Sequence, residues 1–299
     1  MNKYLLIVVL FLSIVTFSMS STSKSTTHFN NDVKIKKNNK IENIKLEEYI
    51  VGVVASEMPA SFNIEALKAQ AIAARTYAVY KMNQENKEYD LIADVSNQGY
   101  INKQEMKNKW GIEYDKYYSK IKKSVDDTKG LVMKYNNKII EAYYFAMSNG
   151  YTEDVSLVFS EDKEYLVSVK SEYENQNLKN FTMVTNVAKH DFCTKLNIAC
   201  EKIEINNIER SNTNRVNNIT INNKIFKGTE VRKLLNLRST DFKIEINNES
   251  ISITTNGYGH GVGMSQYGAN GMANAGYNYE EILKYFYKDV NIEALWSIN

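Results

Sequence analysis

The sequence predicts an α+β protein in which a helical motif and antiparallel strands form a cleft, with a small β-rich subdomain inserted at residues 171–255. Two apolar stretches, Glu47–Val54 and Ile64–Val79, have helical spacing and predict the helical motif. Two strand-like segments on either side of Asn136-Asn137 predict a hairpin. With 299 residues, the chain can bury one large core or two small ones.

Alternating apolar residues predict the inserted sheet. The alternating segments are Ile203–Ile208, Val216–Ile221, Phe242–Ile246 and Ile251–Thr255. Turns are expected at Asn222-Asn223 and Asn247-Asn248, and a helix is expected over Thr229–Leu235. We therefore expect a small antiparallel subdomain between two halves of the main domain.

The first forty residues divide into an apolar segment and a polar one. Residues 1–19 place Lys3 before an apolar run that is shorter than the roughly 20 residues of an average spanning helix. The run suits a short membrane anchor or a signal peptide, and Ser18-Met19-Ser20 is a poor cleavage site, so we expect a retained anchor. Cleavage would instead secrete the protein. Residues 20–40 are polar and predict a flexible tether, followed by an extracytoplasmic domain over 41–299.

Charge and cysteine content narrow the possible partners. The net charge is +2, without a basic stripe, so nucleic acid is not an expected partner. Cys193 and Cys200 are the only cysteines, and they can form a small-loop disulfide or remain reduced. Together with His190 they make a weak zinc pattern.

The turn between the two predicted helices carries a candidate proton donor. Pro59, the only proline in the chain, ends the first helix, and Asn63 is the expected N-cap of the second. Between them, Glu57 is a single carboxylate in an apolar setting, where desolvation would raise its pKa. A surface glutamate near a helix start is the alternative. A helix N-terminus near Glu57 would stabilise its anion by about 0.3–1 kcal/mol and so lower its pKa.

The second helix carries four polar or amphipathic side chains off its apolar stripe. They are Lys68, Gln70, Arg75 and Tyr77. Lys68 and Arg75 are seven residues apart and lie on one helical face, where an arginine fork can bind a carboxylate of the substrate. The alternative is that Arg75 pairs with a nearby acid, such as Glu57 or Asp94, and holds the fold.

A glycine-rich segment over residues 256–273 carries the second cluster of candidates. It lacks the Gly-x-x-x-x-Gly-Lys pattern of a nucleotide-binding loop. It instead contains His260, Ser265 and Gln266, which can hydrogen-bond to sugar hydroxyls and N-acetyl amides. Ser148, expected to be exposed in a turn after the hairpin, joins these candidates. A histidine that only holds the loop in place is the alternative interpretation of His260.

These motifs together resemble the stage II sporulation protein D family of peptidoglycan lytic transglycosylases. The matching strings are Ala55-Ser56-Glu57-Met58-Pro59, Leu67-Lys68-Ala69-Gln70-Ala71, Ala74-Arg75-Thr76-Tyr77-Ala78, Gly150-Tyr151-Thr152-Glu153 and Gly259-His260-Gly261-Val262-Gly263-Met264-Ser265-Gln266-Tyr267-Gly268-Ala269. The last string is the most specific. The resemblance extends from about Leu46 to Ile292 and is weaker inside the insert.

The resemblance implies a membrane-tethered enzyme that cleaves the bond between N-acetylmuramic acid and N-acetylglucosamine in septal peptidoglycan. Glu57 is the implied catalytic acid and base, and 1,6-anhydro ends are the implied product. The implied substrate-binding residues are Lys68, Gln70, Arg75, Tyr77, Ser148, His260, Ser265 and Gln266. The implied substrate is a peptide-stripped glycan strand, and the implied partners are the stage II sporulation protein P amidase and a membrane scaffold. The implied location is the mother-cell side of the sporulation septum, where the enzyme would serve engulfment.

Two features depart from the family pattern, and one alternative function remains. Some members hold zinc with a histidine and cysteines, but residues 92–101 contain neither residue type, so no metal or other cofactor is expected. Phe145 and Asn149 replace residues that are usually smaller or more polar, which affects expected substrate contacts. The alternative function is a non-catalytic, wall-binding enhancer of an N-acetylmuramoyl-L-alanine amidase, which would need no carboxyl group at Glu57.

Overall fold

Short helices alternate with short strands along the chain, as the predicted α+β class requires. A computed structural model describes residues 31–84, 87–94 and 96–295. The first elements are β1 (Asp32–Lys37), β2 (Lys40–Lys45), α1 (Leu46–Glu57), α2 (Ile64–Met82), β3 (Leu91–Ile92), α3 (Lys103–Trp110), α4 (Tyr114–Asp126), β4 (Leu131–Tyr135), β5 (Lys138–Ile139), β6 (Tyr144–Phe145) and α5 (Val155–Phe159). The next are β7 (Thr182–Ala188), α6 (Lys189–Leu196), β8 (Ile205–Arg210), β9 (Val216–Ile221), β10 (Lys224–Lys227), α7 (Gly228–Leu235), β11 (Phe242–Ile246) and β12 (Ser250–Asn256). The last are β13 (Met264–Ser265), α8 (Gln266–Asn274), α9 (Tyr279–Phe286) and β14 (Asn291–Ala294).

The described part of the chain opens with a hairpin that extends into the predicted tether. Strands β1 and β2 pair antiparallel, and β3 joins β1 in parallel. Val33 and Ile35 of β1 are fully buried, although lysines surround them in the sequence. The folded unit therefore starts before the predicted boundary at residue 41. The predicted anchor at 1–19 lies outside the described residues, and no helix within them has the length and apolarity to cross a membrane.

The central helix of the fold is α2. Asn63 caps it by accepting a hydrogen bond from the backbone N–H of Glu65, as predicted. Residues are buried on nearly every side of α2, because it packs against α1, α4, α8, α9 and β4. Its many alanines permit this close approach. The preceding helix, α1, continues to Glu57 instead of ending at Val54.

Two of the small sheets connect distant parts of the main domain. Strands β4 and β5 form the predicted hairpin, with positive φ at Asn136 and Asn137, and β14 pairs with β4 on its other edge. Strands β13 and β6 pair in parallel, so that Ser265 is the register partner of Phe145. This pairing places the glycine-rich segment beside residues 143–148.

The inserted region contains a hydrophobic core of its own. Strands β8, β9 and β10 form one sheet, and β7, β12 and β11 form another. The strands β9 and β11 have the predicted bounds, and Asn222-Asn223 turns with positive φ as expected. Phe192, Ile219 and Ile253 are fully buried between the sheets and helices α6 and α7. Cys193 and Cys200 form a disulfide beside this core.

Candidate active site

Glu57 is the last residue of α1, and its side chain is partly buried. Burial raises the pKa of the Glu57 carboxyl, against the lowering effects of the Gly99 N–H, the Gln266 side chain and the charge of Lys109. The N-terminus of α2 follows only at Ile64, whereas Glu57 lies at the carboxyl end of α1. The carbonyl groups there disfavour an anion and add to the effect of burial. The carboxyl can therefore hold a proton above the usual range for glutamate.

The segment over residues 97–99 positions the Glu57 carboxyl. The Gly99 N–H donates to Glu57 Oε1 at 2.5 Å. A side chain at position 99 would clash, since a Cβ there would lie 2.9 Å from the same oxygen. Gln98 is buried and donates to the Tyr144 hydroxyl at 2.9 Å and to the Ala74 carbonyl at 3.2 Å. Gln98 therefore holds the segment that contacts Glu57.

Gln266 and Gln70, two of the predicted substrate-binding residues, meet next to Glu57. The Gln266 side chain hydrogen-bonds to the Glu57 carboxyl, and its Nε2 lies 3.4 Å from Gln70 Oε1. Both glutamines are buried. Gln266 is the first residue of α8, directly after the Ser265 N-cap, so the start of α8 aims this amide at the carboxyl. The tertiary fold thus brings together three predicted residues that are distant in sequence.

The glycine-rich segment can reach this position because its backbone lies directly on a neighbouring strand. Gly263 has φ +78°, and a Cβ there would lie 2.0 Å from the carbonyl oxygen of Tyr143. Only glycine fits both the left-handed backbone and this close approach. The glycines therefore allow close backbone packing, and this packing positions Gln266 beside Glu57.

His260 bonds to β6 through one ring nitrogen and to its own loop through the other. The Val262 N–H donates to Nδ1 at 3.1 Å, so Nε2 carries the proton and donates to the Tyr144 carbonyl at 3.0 Å. Burial, with the positive charge of Arg232, lowers the pKa of His260 to about 3, so the ring is neutral at physiological pH. This geometry favours the alternative interpretation, in which His260 holds the loop, over substrate binding.

Ser148 and Ser265 are also buried, and both hydrogen-bond to a residue inside the protein. Their hydroxyl groups donate to Glu174 Oε2 at 2.8 Å and 2.7 Å, and Ser171 donates to the same oxygen at 3.0 Å. Both predicted serines are fully buried, whereas the sequence suggested that Ser148 is exposed. Burial raises the pKa of Glu174. These hydrogen bonds to Glu174 join the glycine-rich segment to the turns around residues 148 and 171. The two serines therefore have a structural role.

Arg75 is fully buried and forms an ion pair. Its Nε and Nη2 atoms bind the two carboxylate oxygens of Glu47 at 2.9 Å and 2.6 Å. Nη1 donates to the Leu131 carbonyl at 3.2 Å. The structure therefore favours the alternative in which Arg75 holds the fold, with Glu47 as its partner in place of Glu57 or Asp94.

Lys68 and Tyr77 have internal contacts as well. Lys68 Nζ lies 2.9 Å from Glu65 and 3.4 Å from Asp127, so two carboxylates already engage this cation. Tyr77 is buried, and its hydroxyl accepts from Asn97 at 3.3 Å. Tyr77 thus supports the 97–99 segment that contacts Glu57.

Three residues at the site were not selected as site residues from the sequence. They are Gln98, Gly99 and Lys109. Lys109 Nζ donates to the Ala55 carbonyl at 2.8 Å, at the end of α1, and its charge acts on Glu57. A single glycine beside buried aromatic residues was the available signal for Gly99. Lys109 has none, because it lies in a polar helix.

Two observations bear on the weak zinc pattern of His190, Cys193 and Cys200. The disulfide uses both cysteine sulfurs, so neither is available as a thiolate ligand. Within the described ranges, no group of three or more histidine, cysteine, aspartate or glutamate side chains is arranged to hold a metal ion.

The fold and site define an α+β protein with one partly buried carboxyl group held by a backbone N–H and a glutamine amide. A family model described as stage II sporulation protein matches residues 34–135. The chain is 42% identical to stage II sporulation protein D of Bacillus subtilis (strain 168), over 85% of this chain and 76% of that one. It is 41% identical, over the same shares, to stage II sporulation protein D of Bacillus amyloliquefaciens. The chain therefore belongs to the stage II sporulation protein D family.

A more distant relative has a different name. The chain is 28% identical to a Bacillus subtilis protein named amidase enhancer, and the match covers 81% of this chain but 40% of that protein. The assignment of the family, and of its role in sporulation, rests on the two nearer relatives.

Proposed function

We propose that this protein is a peptidoglycan lytic transglycosylase that cleaves the bond between N-acetylmuramic acid and N-acetylglucosamine in peptide-stripped strands. The observation that carries the proposal is the Glu57 carboxyl, which is partly exposed, has a raised pKa through burial, and is held by Gly99 and Gln266. The main groups that act on its pKa are not carboxylates. This arrangement suits a reaction that needs one acid–base group, in contrast to most glycosidases, which need two.

In the proposed reaction, Glu57 acts first as acid and then as base. The protonated carboxyl donates its proton to the glycosidic oxygen as the bond from that oxygen to C1 of the muramic residue breaks. The C6 hydroxyl of the same residue then attacks C1 and transfers its proton to the Glu57 carboxylate, which leaves a 1,6-anhydro end. No water is consumed, and the enzyme returns to its starting form.

Gly99 and Gln266 stabilise the intermediate state of this cycle. Both donate hydrogen bonds to the Glu57 carboxyl, and both lower its pKa. They therefore favour the carboxylate that forms after the first proton transfer, while burial favours the acid that starts the cycle. The balance keeps both forms accessible.

The proposal includes a biological setting. The chain belongs to a sporulation family, so we propose that it acts on septal peptidoglycan during engulfment, on the mother-cell side of the septum. A membrane anchor in residues 1–19 would hold it there. We propose the stage II sporulation protein P amidase as the partner that supplies stripped strands, and a membrane scaffold that brings the two together.

An amidase-enhancing role is the second candidate, and the distant relative named amidase enhancer is the observation that favours it. A non-catalytic enhancer needs neither a raised pKa at Glu57 nor donors placed on that carboxyl. The two candidates therefore differ in what Glu57 does.

Mass spectrometry of products from peptide-free glycan strands tests the proposal. The wild type should release products with 1,6-anhydro-N-acetylmuramic acid ends, and Glu57→Gln should lower the rate by about 10²–10⁴-fold, the usual contribution of general acid–base catalysis. Glu48→Gln is the matched control, since this exposed carboxylate is on the same helix. A wild type that releases no anhydro product, or a fully active Glu57→Gln, would exclude the transglycosylase and leave the enhancer.

A further inference from the structure

A cluster of half-buried aromatic side chains lies where α3 turns into α4. The Trp110 ring centroid is 5.8 Å from that of Tyr117 and 6.4 Å from that of Tyr114. Between them, Ile112 is 104% exposed on a 3-10 turn. We call these four residues the aromatic platform. Contiguous apolar groups that reach the surface, here three half-buried rings around an exposed isoleucine, can mark an interaction site, whereas scattered ones do not.

Two lysines hold the aromatic platform beside the segment that carries Glu57. Lys109, next to Trp110, donates to the carbonyl oxygens of Ala55 at 2.8 Å and Ser56 at 3.4 Å. Lys120, one turn after Tyr117 on α4, donates to the Ser61 carbonyl at 3.2 Å and also to that of Phe62. Both ends of the platform are therefore bonded to residues 55–62, which contain the proposed catalytic acid.

The aromatic platform is also basic. Lys107 Nζ lies 5.5 Å from the Tyr114 ring centroid, and Lys116 Nζ lies 5.0 Å from that of Tyr117. Residues 103–120 contain five lysines and three carboxylates. The surface thus combines aromatic faces, which attract C–H groups, with cations, which attract carboxylates.

We propose that the aromatic platform binds the stretch of peptide-stripped glycan strand that adjoins the bond at Glu57, and this inference rests on the proposed function. Pyranose rings present C–H groups on their faces, which pack on aromatic rings. Each muramic residue without its peptide carries a free lactyl carboxylate, which the platform lysines would meet. One extended polymer can contact the platform and Glu57 together, because the two are joined through residues 55–62.

Tryptophan fluorescence can test this proposal directly, because the chain contains only two tryptophans. In a Glu57→Gln protein with Trp296→Phe, Trp110 is the only remaining emitter, and no turnover consumes the ligand. Peptide-free glycan strands and a neutral N-acetylglucosamine hexamer are the probes. Both should change the Trp110 emission saturably, and phosphatidylglycerol vesicles should not.

Variants separate stacking from charge in the same background. Tyr117→Ala should weaken binding of both probes by about two- to tenfold, the range expected for one aromatic contact. Tyr135→Ala, on a ring packed against Tyr165 in the β4–β5 hairpin, is the matched control and should bind normally. Ile112→Glu should weaken binding of strands but not of the hexamer, and Ile112→Lys should weaken neither. Ile112 is fully exposed, so these two changes leave the fold intact.

Binding of the strands can be detected independently, because bound protein sediments with them. Unchanged Trp110 emission at strand concentrations that give such co-sedimentation would overturn the proposal. Normal strand binding by both Tyr117→Ala and Ile112→Glu would also overturn it, as would a response to vesicles alone. Release of anhydro ends by the wild type is measured separately. Strand binding at the platform without such products would exclude only the transglycosylase, and products with unaffected platform variants would exclude only the platform.

Discussion

At the carboxyl end of α1, Glu57 is subject to opposing influences on its pKa. Burial raises it, and the hydrogen bonds from Gly99 and Gln266 lower it. Only the protonated form can act as the acid of the proposed reaction. The rate should therefore fall as the pH rises through the pKa of Glu57. This falling limb of the pH–rate profile should be centred at a pH above 4.5, the pKa of an ordinary glutamate.

Removing Gln266 should move that limb to higher pH. Gln266→Ala deletes a hydrogen bond that lowers the pKa of Glu57, so the acid form persists to higher pH, although the less stable carboxylate should reduce the maximum rate. The pH dependence of anhydro-product release is the measurement. Gln70→Ala is the control, because Gln70 contacts Gln266 and is not among the main groups that act on Glu57. A limb that stays in place would contradict the role given to Gln266.

The pairing of Arg75 with Glu47 makes a separate prediction about stability. Arg75→Ala removes the fully buried member of the pair and leaves the partly buried Glu47 carboxylate without its partner, which should lower the free energy of unfolding by about 3–5 kcal/mol. Lys68→Ala, on the same helix, should cost at most about 1 kcal/mol, because its ion pairs are more exposed. Urea denaturation of both variants is the measurement. A stable Arg75→Ala protein that selects poorly between stripped and intact strands would restore the substrate-binding role.

At the scale of elements, the glycine-rich segment decides where α8 begins. Its backbone lies on residues 143–148, and β13 pairs with β6 in parallel. The start of α8 carries Gln266 to Glu57. A change in the segment should therefore act on both stability and the site.

Gly263→Ala tests this coupling. At φ +78° an alanine costs about 1–2 kcal/mol, and its Cβ would in addition lie 2.0 Å from the Tyr143 carbonyl, so the loop must shift. We expect a loss of stability above that conformational cost and a loss of product release. Gly276→Ala is the control, since it has φ +100° with nothing within 4 Å of the added Cβ. Equal effects of the two variants would show that close packing at Gly263 does not matter.

At the scale of the whole molecule, the inserted region has its own core, while the proposed site lies in the main domain. Buried polar contacts connect the two parts. Arg215 donates to the Tyr151 carbonyl at 2.9 Å, and Asn149 donates to the Thr213 carbonyl at 2.7 Å. The insert core contains none of the residues that contact Glu57, so the core and the site can be perturbed separately.

The disulfide provides that test. Replacing Cys193 and Cys200 together with serine removes the constraint on a short loop in the unfolded chain, which should lower stability by about 2 kcal/mol. Product release should stay normal under conditions in which the protein is folded. Urea denaturation with and without reductant is the measurement. Two reactive thiols in the native protein, found by titration, would contradict the disulfide.

The sequence by itself determined several local elements and singled out Glu57 as the candidate acid. Asn63 and the alanine-rich run specify α2, alternation specifies β9 and β11, and paired asparagines specify two turns, because each depends on residues close in the chain. The helix α3 was missed although Asn102 and Glu105 form a capping box, because its sequence is almost entirely polar.

Only the tertiary structure decided what most of the polar candidates do. Gln70 and Gln266 meet at Glu57, whereas Ser148 and Ser265 bind Glu174, and Arg75 binds Glu47. Motif strings identify these side chains but not their partners. The partner of a buried polar group is whichever complementary group the fold brings within hydrogen-bond distance, and here that group is distant in sequence.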